Sequence, residues 1–182
     1  MSIETIIALL AALGIGGLLG ALLNRRFEEQ KQTNDHDIKV FNQSNEILAE
    51  QKIKDIAGYH LLSDHSICND DFFMLTKWCR FFDQVGNRYL DKKINKENMR
   101  LVDDLISLTD FIGYNFFTIK GQNLNNDNQY LRPDWNFDRG EDPSPEKLAK
   151  YDEYAEKLEK LTKKAIAQYL RYRQAVKEQL KI

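Results

Sequence analysis

Few groups in this chain are arranged for chemistry. His60, His65, Cys68 and Cys79 form the one metal-type set, with the spacing His-x4-His-x2-Cys and a second cysteine eleven residues on. Zinc needs four imidazole or thiolate ligands converging on a tetrahedron, and this spacing fits no common finger, so neither a metal nor a cofactor is expected. Cys79 falls on the apolar face of an aromatic-rich segment, where a thiol packs as a small buried hydrophobe. The neighbouring carboxylates Asp70-Asp71 and Asp103-Asp104 resemble acid–base pairs, yet adjacent residues on a helix diverge by about 100° and cannot address one substrate atom. They read as caps and solvated faces. The chain contains no G-x-S-x-G, no glycine-rich phosphate loop and no nucleophile set against a base. No catalytic residue is expected and the chain reads as a non-enzyme.

The elements that would position such groups read as helices. Asn69, followed by Asp70 and Asp71, has the form of an N-cap with acidic first-turn residues, and Phe72, Leu75, Thr76, Cys79 and Phe82 then share a face. Asn95 reads as the cap of the next helix, whose stripe is Leu101, Val102, Leu105, Leu108, Ile112 and Phe116. These two should form the core. Residues 119–144 offer turn chemistry instead of periodicity, with Tyr130, Trp135 and Phe137 either anchoring a partner or, the favoured reading, pinning the loop to the body. Ser144-Pro145 opens a long helix toward Leu180. Along it Tyr151, Leu158, Tyr169, Tyr172 and Val176 recur at heptad-like spacing, a seam facing either the domain itself or a neighbouring subunit. No strand pattern is visible.

Ahead of the core, Ile6 to Leu23 is an unbroken apolar run followed directly by Arg25 and Arg26. At ~1.5 Å per residue it measures roughly 27 Å, close to the hydrocarbon thickness of a bilayer. The expectation is an all-α chain: a single transmembrane helix over residues 1–26, then a cytoplasmic bundle of about four helices over 27–182 with a long C-terminal helix. Basic residues lie after the run and not before it, which places the protein in the inner membrane with its N-terminus outside. Ala8, Ala12, Gly16 and Gly20 recur every four residues, a face suited to close helix packing in the lipid bilayer. The first helix should end near Thr33-Asn34-Asp35, and a second should run from Asp37 to Leu62. Net charge is −2, from 26 basic and 28 acidic residues, which makes no case for direct nucleic-acid binding.

In its single N-terminal span, its helical body and its length, the chain resembles the small membrane accessory proteins of type VI-B CRISPR systems. The resemblance implies a divergent HEPN-like fold, a homo-oligomer that forms a membrane pore, and an RNA-guided effector as partner in antiviral defence. Asn24, Arg25 and Arg26 would then ring the cytoplasmic mouth of the pore. The ribonuclease signature of HEPN proteins, an arginine followed four to six residues later by a histidine, is absent: Arg25 and Arg26 are the only arginines before a histidine, and His36 lies too far on. The contrasting expectation is a membrane-tethered adaptor without catalytic activity. A ribonuclease with an unrecognised site ranks last.

Overall fold

The computed structural model describes residues 3–119, 127–139 and 143–182, and for residues 6–19 the backbone alone. Helix α1 (Ile3–Ile47) runs as one element through the expected break at Thr33-Asn34-Asp35. None of these residues is glycine or proline, and the Thr33 hydroxyl donates to the Glu29 carbonyl at 2.9 Å, which keeps the polar group inside the helical ladder. The second helix expected from Asp37 to Leu62 is therefore divided: its first part is the end of α1, and the remainder is a short helix and a π-helical turn beyond a break at Leu48-Ala49. After it come α2 (Glu50–Asp55), a π-helical turn (Ile56–Ser63), β1 (Ser66–Cys68) and α3 (Asn69–Asp83). A 3-10 turn (Val85–Asn87) leads to α4 (Lys92–Asn115), β2 (Phe116–Phe117), β3 (Asn128–Leu131), a second 3-10 turn (Pro133–Trp135) and α5 (Pro145–Leu180).

Helix starts follow local capping chemistry, not always at the expected residue. Ser144 caps α5, accepting the Lys147 N–H, with Pro145 in the first turn, as the sequence predicts. The cap of α4 is Asp91, whose Oδ1 accepts from the Lys93 and Ile94 N–H groups at 2.9 Å each; Asn95 lies one turn inside. Likewise Cys68 holds the cap position of α3, and Asn69 is already helical.

The core forms where α4 and α5 pack antiparallel, as the ion pairs Lys93–Glu178 at one end and Asp104–Lys164 in the middle record. Leu101, Leu105 and Ile112 of α4 and Leu158, Ala165 and Tyr172 of α5 are buried here, with Leu75, Trp78 and Phe82 of α3 completing the layer. Inside it the Tyr89 and Tyr172 hydroxyls meet at 2.5 Å, each giving the other the partner that a buried phenol requires. Three short strands make an antiparallel sheet in the order β1-β3-β2, with Ser66 opposite Tyr130 and Phe116 opposite Leu131. Strands of two to four residues are too short to leave an alternating pattern, which is why the sequence predicts none.

Among the described residues no helix is long and apolar enough to cross a membrane. This corrects the expected transmembrane anchor over residues 1–26 and, with it, the inner-membrane location. The backbone of α1 does not end at the apolar run but continues through Arg25, Arg26, Glu28, Glu29 and Lys31, with every side chain from 20 to 32 exposed. Ala8, Ala12 and Gly16 lie outside the described side chains, and around Gly20 nothing stands within 4 Å of where a Cβ would be. Body contact begins near Thr33. There Asp37, with no exposed surface, accepts the Leu90 N–H on Oδ1 at 2.8 Å and the Asp91 N–H on Oδ2 at 2.9 Å. His36 Nε2 lies 3.0 Å from the Arg88 carbonyl.

Two stability outcomes follow from these buried polar groups. Asp37→Ala strips a charged acceptor from two backbone donors and is expected to cost about 3 kcal/mol in urea unfolding; a loss below about 0.5 kcal/mol would contradict the bonding described. Thr162 behaves oppositely, because its fully buried hydroxyl has no hydrogen-bond partner. It borders a cavity of about 10 Å³ otherwise lined by apolar side chains such as Ile56, Leu75 and Leu105. One hydroxyl is too few polar partners to hold a water there. Thr162→Val therefore raises stability by about 1 kcal/mol, read as a higher Tm.

Candidate functional site

Polar side chains converge where the sheet meets the start of α5. The π-helical turn ends at Ser63, and the chain must reverse within two residues to enter β1; His65 makes that reversal at φ 47°, in the left-handed region. For a residue with a Cβ this conformation is unfavourable and persists only where the surroundings enforce it. Here they do. The His65 carbonyl accepts the Leu131 N–H at 2.9 Å, tying the turn to β3, and its Nδ1 lies 2.8 Å from the Tyr151 hydroxyl of α5. Asn136 Nδ2 donates to the same hydroxyl oxygen at 2.9 Å. The Tyr151 hydroxyl thus joins the His65 ring and the Asn136 amide in one hydrogen-bonded chain.

Beside this relay Asp64 accepts from Arg139 through both its carbonyl, at 3.0 Å, and its Oδ1, while Ser66 Oγ donates to Oδ2 at 2.5 Å. The Arg139 guanidinium also lies over the Tyr130 ring at 4.0 Å. Burial first, and then the Arg139 charge, hold the His65 imidazole below its ordinary pKa, against the opposing pull of Asp64 and Glu159. Burial pushes the Tyr151 phenol up. An oriented neutral imidazole beside an arginine has the parts for moving a proton. In this cluster, however, Nδ1 is taken by Tyr151 and the Asp64 carboxylate by Arg139 and Ser66, so the groups chiefly lock the sheet to α5.

Arg132 supplies a second lock. It too is left-handed, at φ 35°, and its guanidinium stands 5.0 Å from the Phe117 ring, 4.8 Å from Trp135 and 5.5 Å from Tyr154. Its Nη2 donates to Asn115 Oδ1 at 2.9 Å and its backbone N–H to the Asn115 carbonyl. Tyr130 is buried and Trp135 packs edge-on against Tyr154, so both pin this segment as expected; Phe137 is exposed.

The other residues singled out in the sequence are dispersed. Cys79 is buried, and desolvation with the nearby Asp83 charge pushes its thiol up to about 12. Cys68 is half-buried at the start of α3, with its thiol also pushed up by burial. Among the described residues no group of three or more His, Cys, Asp or Glu could hold a metal ion. The carboxylate neighbours point apart: Asp71 is buried against Lys52 at 2.7 Å while Asp70 is exposed, and Asp104 pairs with Lys164 at 2.8 Å while Asp103 is exposed. Leu158, Tyr169, Tyr172 and Val176 are buried in the body, whereas Tyr151 belongs to the His65 cluster. Asn24, Arg25 and Arg26 are exposed along α1, with Arg25 paired to Glu29 at 2.9 Å.

Asp37, Asp64, Arg132, Asn136 and Arg139 were not singled out by sequence reasoning. For Arg132, Asn136 and Arg139 the only signal is a setting of turn-forming residues, and the two left-handed positions of the site, His65 and Arg132, are not glycine or asparagine, which would have announced them. No protein-family model, curated protein or solved structure matches the chain.

The pKa direction at His65 fixes a pH effect. Its folded-state pKa lies below the unfolded value, so the unfolded chain binds the extra proton first as pH falls. Its contribution is complete above about pH 6.5 and is lost as pH drops through the folded-state pKa. Urea midpoints should decline over that range, and His65→Asn, which tolerates the left-handed backbone, should flatten the decline. An unchanged pH profile in that variant would show that other groups titrate.

Proposed function

We propose that the chain is a self-assembling, non-enzymatic helical adaptor, in which a packed body receives a partner and the arm of α1 joins it to further copies. The observation that carries this reading is the arm itself. From residue 20 to residue 32 all side chains of α1 are exposed, including Leu22 at 58%, Leu23 at 54% and Phe27 at 68%. An isolated helix is marginal in water without packing on one face, and clustered bare apolar side chains mark an interaction site. In the body, Tyr151 and Asn136 engage the His65 side, and the Arg132 guanidinium is held by Asn115 and three aromatic rings, which suits a platform more than a site of turnover.

The resemblance to accessory proteins of type VI-B CRISPR systems supplies the class of the second partner, an RNA-guided effector. In that setting the arm gathers copies and the body carries the effector contact. Sedimentation of the full chain tests the first half: a multiple of the chain mass at micromolar concentration is expected, and a monomer throughout would overturn self-assembly. Co-elution with an RNA-loaded type VI-B effector tests the second half, and separate elution at micromolar concentrations of both would remove that partner.

A further inference from the structure

Two exposed helical faces in this molecule complement each other. On the arm, a spacing of about 100° per residue brings Leu22, Leu23, Arg26, Phe27 and Gln30 onto one side, with Lys31 at its margin. Glu29, paired to Arg25, stands at the opposite margin beside Leu22, while Arg25 and Glu28 fall outside the stripe. Arg26 and Lys31 meet no carboxylate within 4.0 Å among the described residues. The outward side of α4 is the counterpart: Asp103, Ile106, Asp110 and Tyr114 follow one another at helical spacing, with Ile106 40% and Tyr114 77% exposed. Neither Asp103 nor Asp110 has a basic partner within that same distance, although the adjacent Asp104 does. One face thus presents unpaired cations among bare apolar side chains, and the other presents unpaired carboxylates among bare apolar side chains.

We infer that the arm of one copy docks along the outward face of α4 of a second copy, with Arg26 against Asp110 and Phe27 covering Tyr114. The inference rests on the self-assembly reading and names its interface. A second copy is the occupant because the complement is carried by the chain itself: the arm supplies cations without a carboxylate partner for Asp103 and Asp110, and apolar side chains to cover Ile106 and Tyr114. Each copy offers one arm and accepts another, so two copies can exchange arms in a closed two-fold dimer, or the contacts can propagate into a ring or a filament. Lys31 lies toward the Asp103 end or beyond the Tyr114 end according to the direction in which the arm lies. The charge pairing sets register and partner choice, and the apolar contacts supply most of the attraction.

Charge reversal on the full chain tests this. Arg26→Asp and Asp110→Lys both fall at exposed positions, and each places like charges at the contact. Each alone should weaken assembly by about tenfold or more at low ionic strength, read from the concentration dependence of the sedimentation profile, with the thermal transition unchanged. The double variant restores an opposite pair and should recover assembly to within about threefold of the original chain. A mixed-chain experiment gives the geometry: Phe27→Cys in one preparation and Tyr114→Cys in another, both with Cys68→Ser, should cross-link on mixing under mild oxidation. Assembly that persists in both single variants, or a double variant no better than either single one, would overturn this docking while leaving self-assembly intact. A monomeric original chain would overturn both.

Discussion

Asp37 holds the backbone N–H groups of Leu90 and Asp91 on its two carboxylate oxygens and is fully buried in doing so. A carboxylate removed from water is tolerable only with such donors, and its place beside the start of α4 adds the attraction of the helix N-terminus. The rest of the architecture depends on that contact. It sets where α1 stops being an arm and becomes part of the body, and it fixes the loop from which α4 starts. His36, Val40 and Ser44 extend the same attachment along the helix, and Leu48 continues it just past the helix end. Arg173 of α5 reinforces it from the other side, resting on the Phe41 ring at 4.8 Å and pairing with Glu50 at 2.9 Å.

The parts legible in the sequence are those in which one periodicity or one capping pair decides the outcome. The start of α5 is written in Ser144-Pro145, and the buried stripes of α3 and α4 are written in their apolar spacing, so the helical class follows. The break expected at Thr33-Asn34-Asp35 fails because polarity alone does not end a helix whose hydroxyl can bond back to the preceding turn. The apolar run at the N-terminus illustrates another limit. Hydropathy over eighteen residues reads as a span, whereas among the described residues no helix has the length and apolarity to cross a membrane.

The candidate site was the least legible part. Its members come from residues 64–66, 130–139 and 151, and no local pattern says that these segments meet. They meet because the core helices fix the ends of the segments and because short strands can pair there. Tyr151 was noticed for its heptad position, yet its role is set by a histidine 86 residues earlier. A residue can be found by its periodicity and still be misjudged, because periodicity reports a face and not a neighbour.

The order of the sheet also bears on how the chain folds. β3 lies between β1, more than sixty residues earlier in its pairing of Ser66 with Tyr130, and β2, which precedes it by a shorter loop. Closing so long a loop for three residue pairs returns little until α3 and α4, which lie inside it, are already packed. The sheet is thus a late clasp on a finished helical body, held by two left-handed residues at its rim. With three and two residue pairs on either side of β3, its ladder is short, and its amides should exchange faster than those in the middle of α4 and α5.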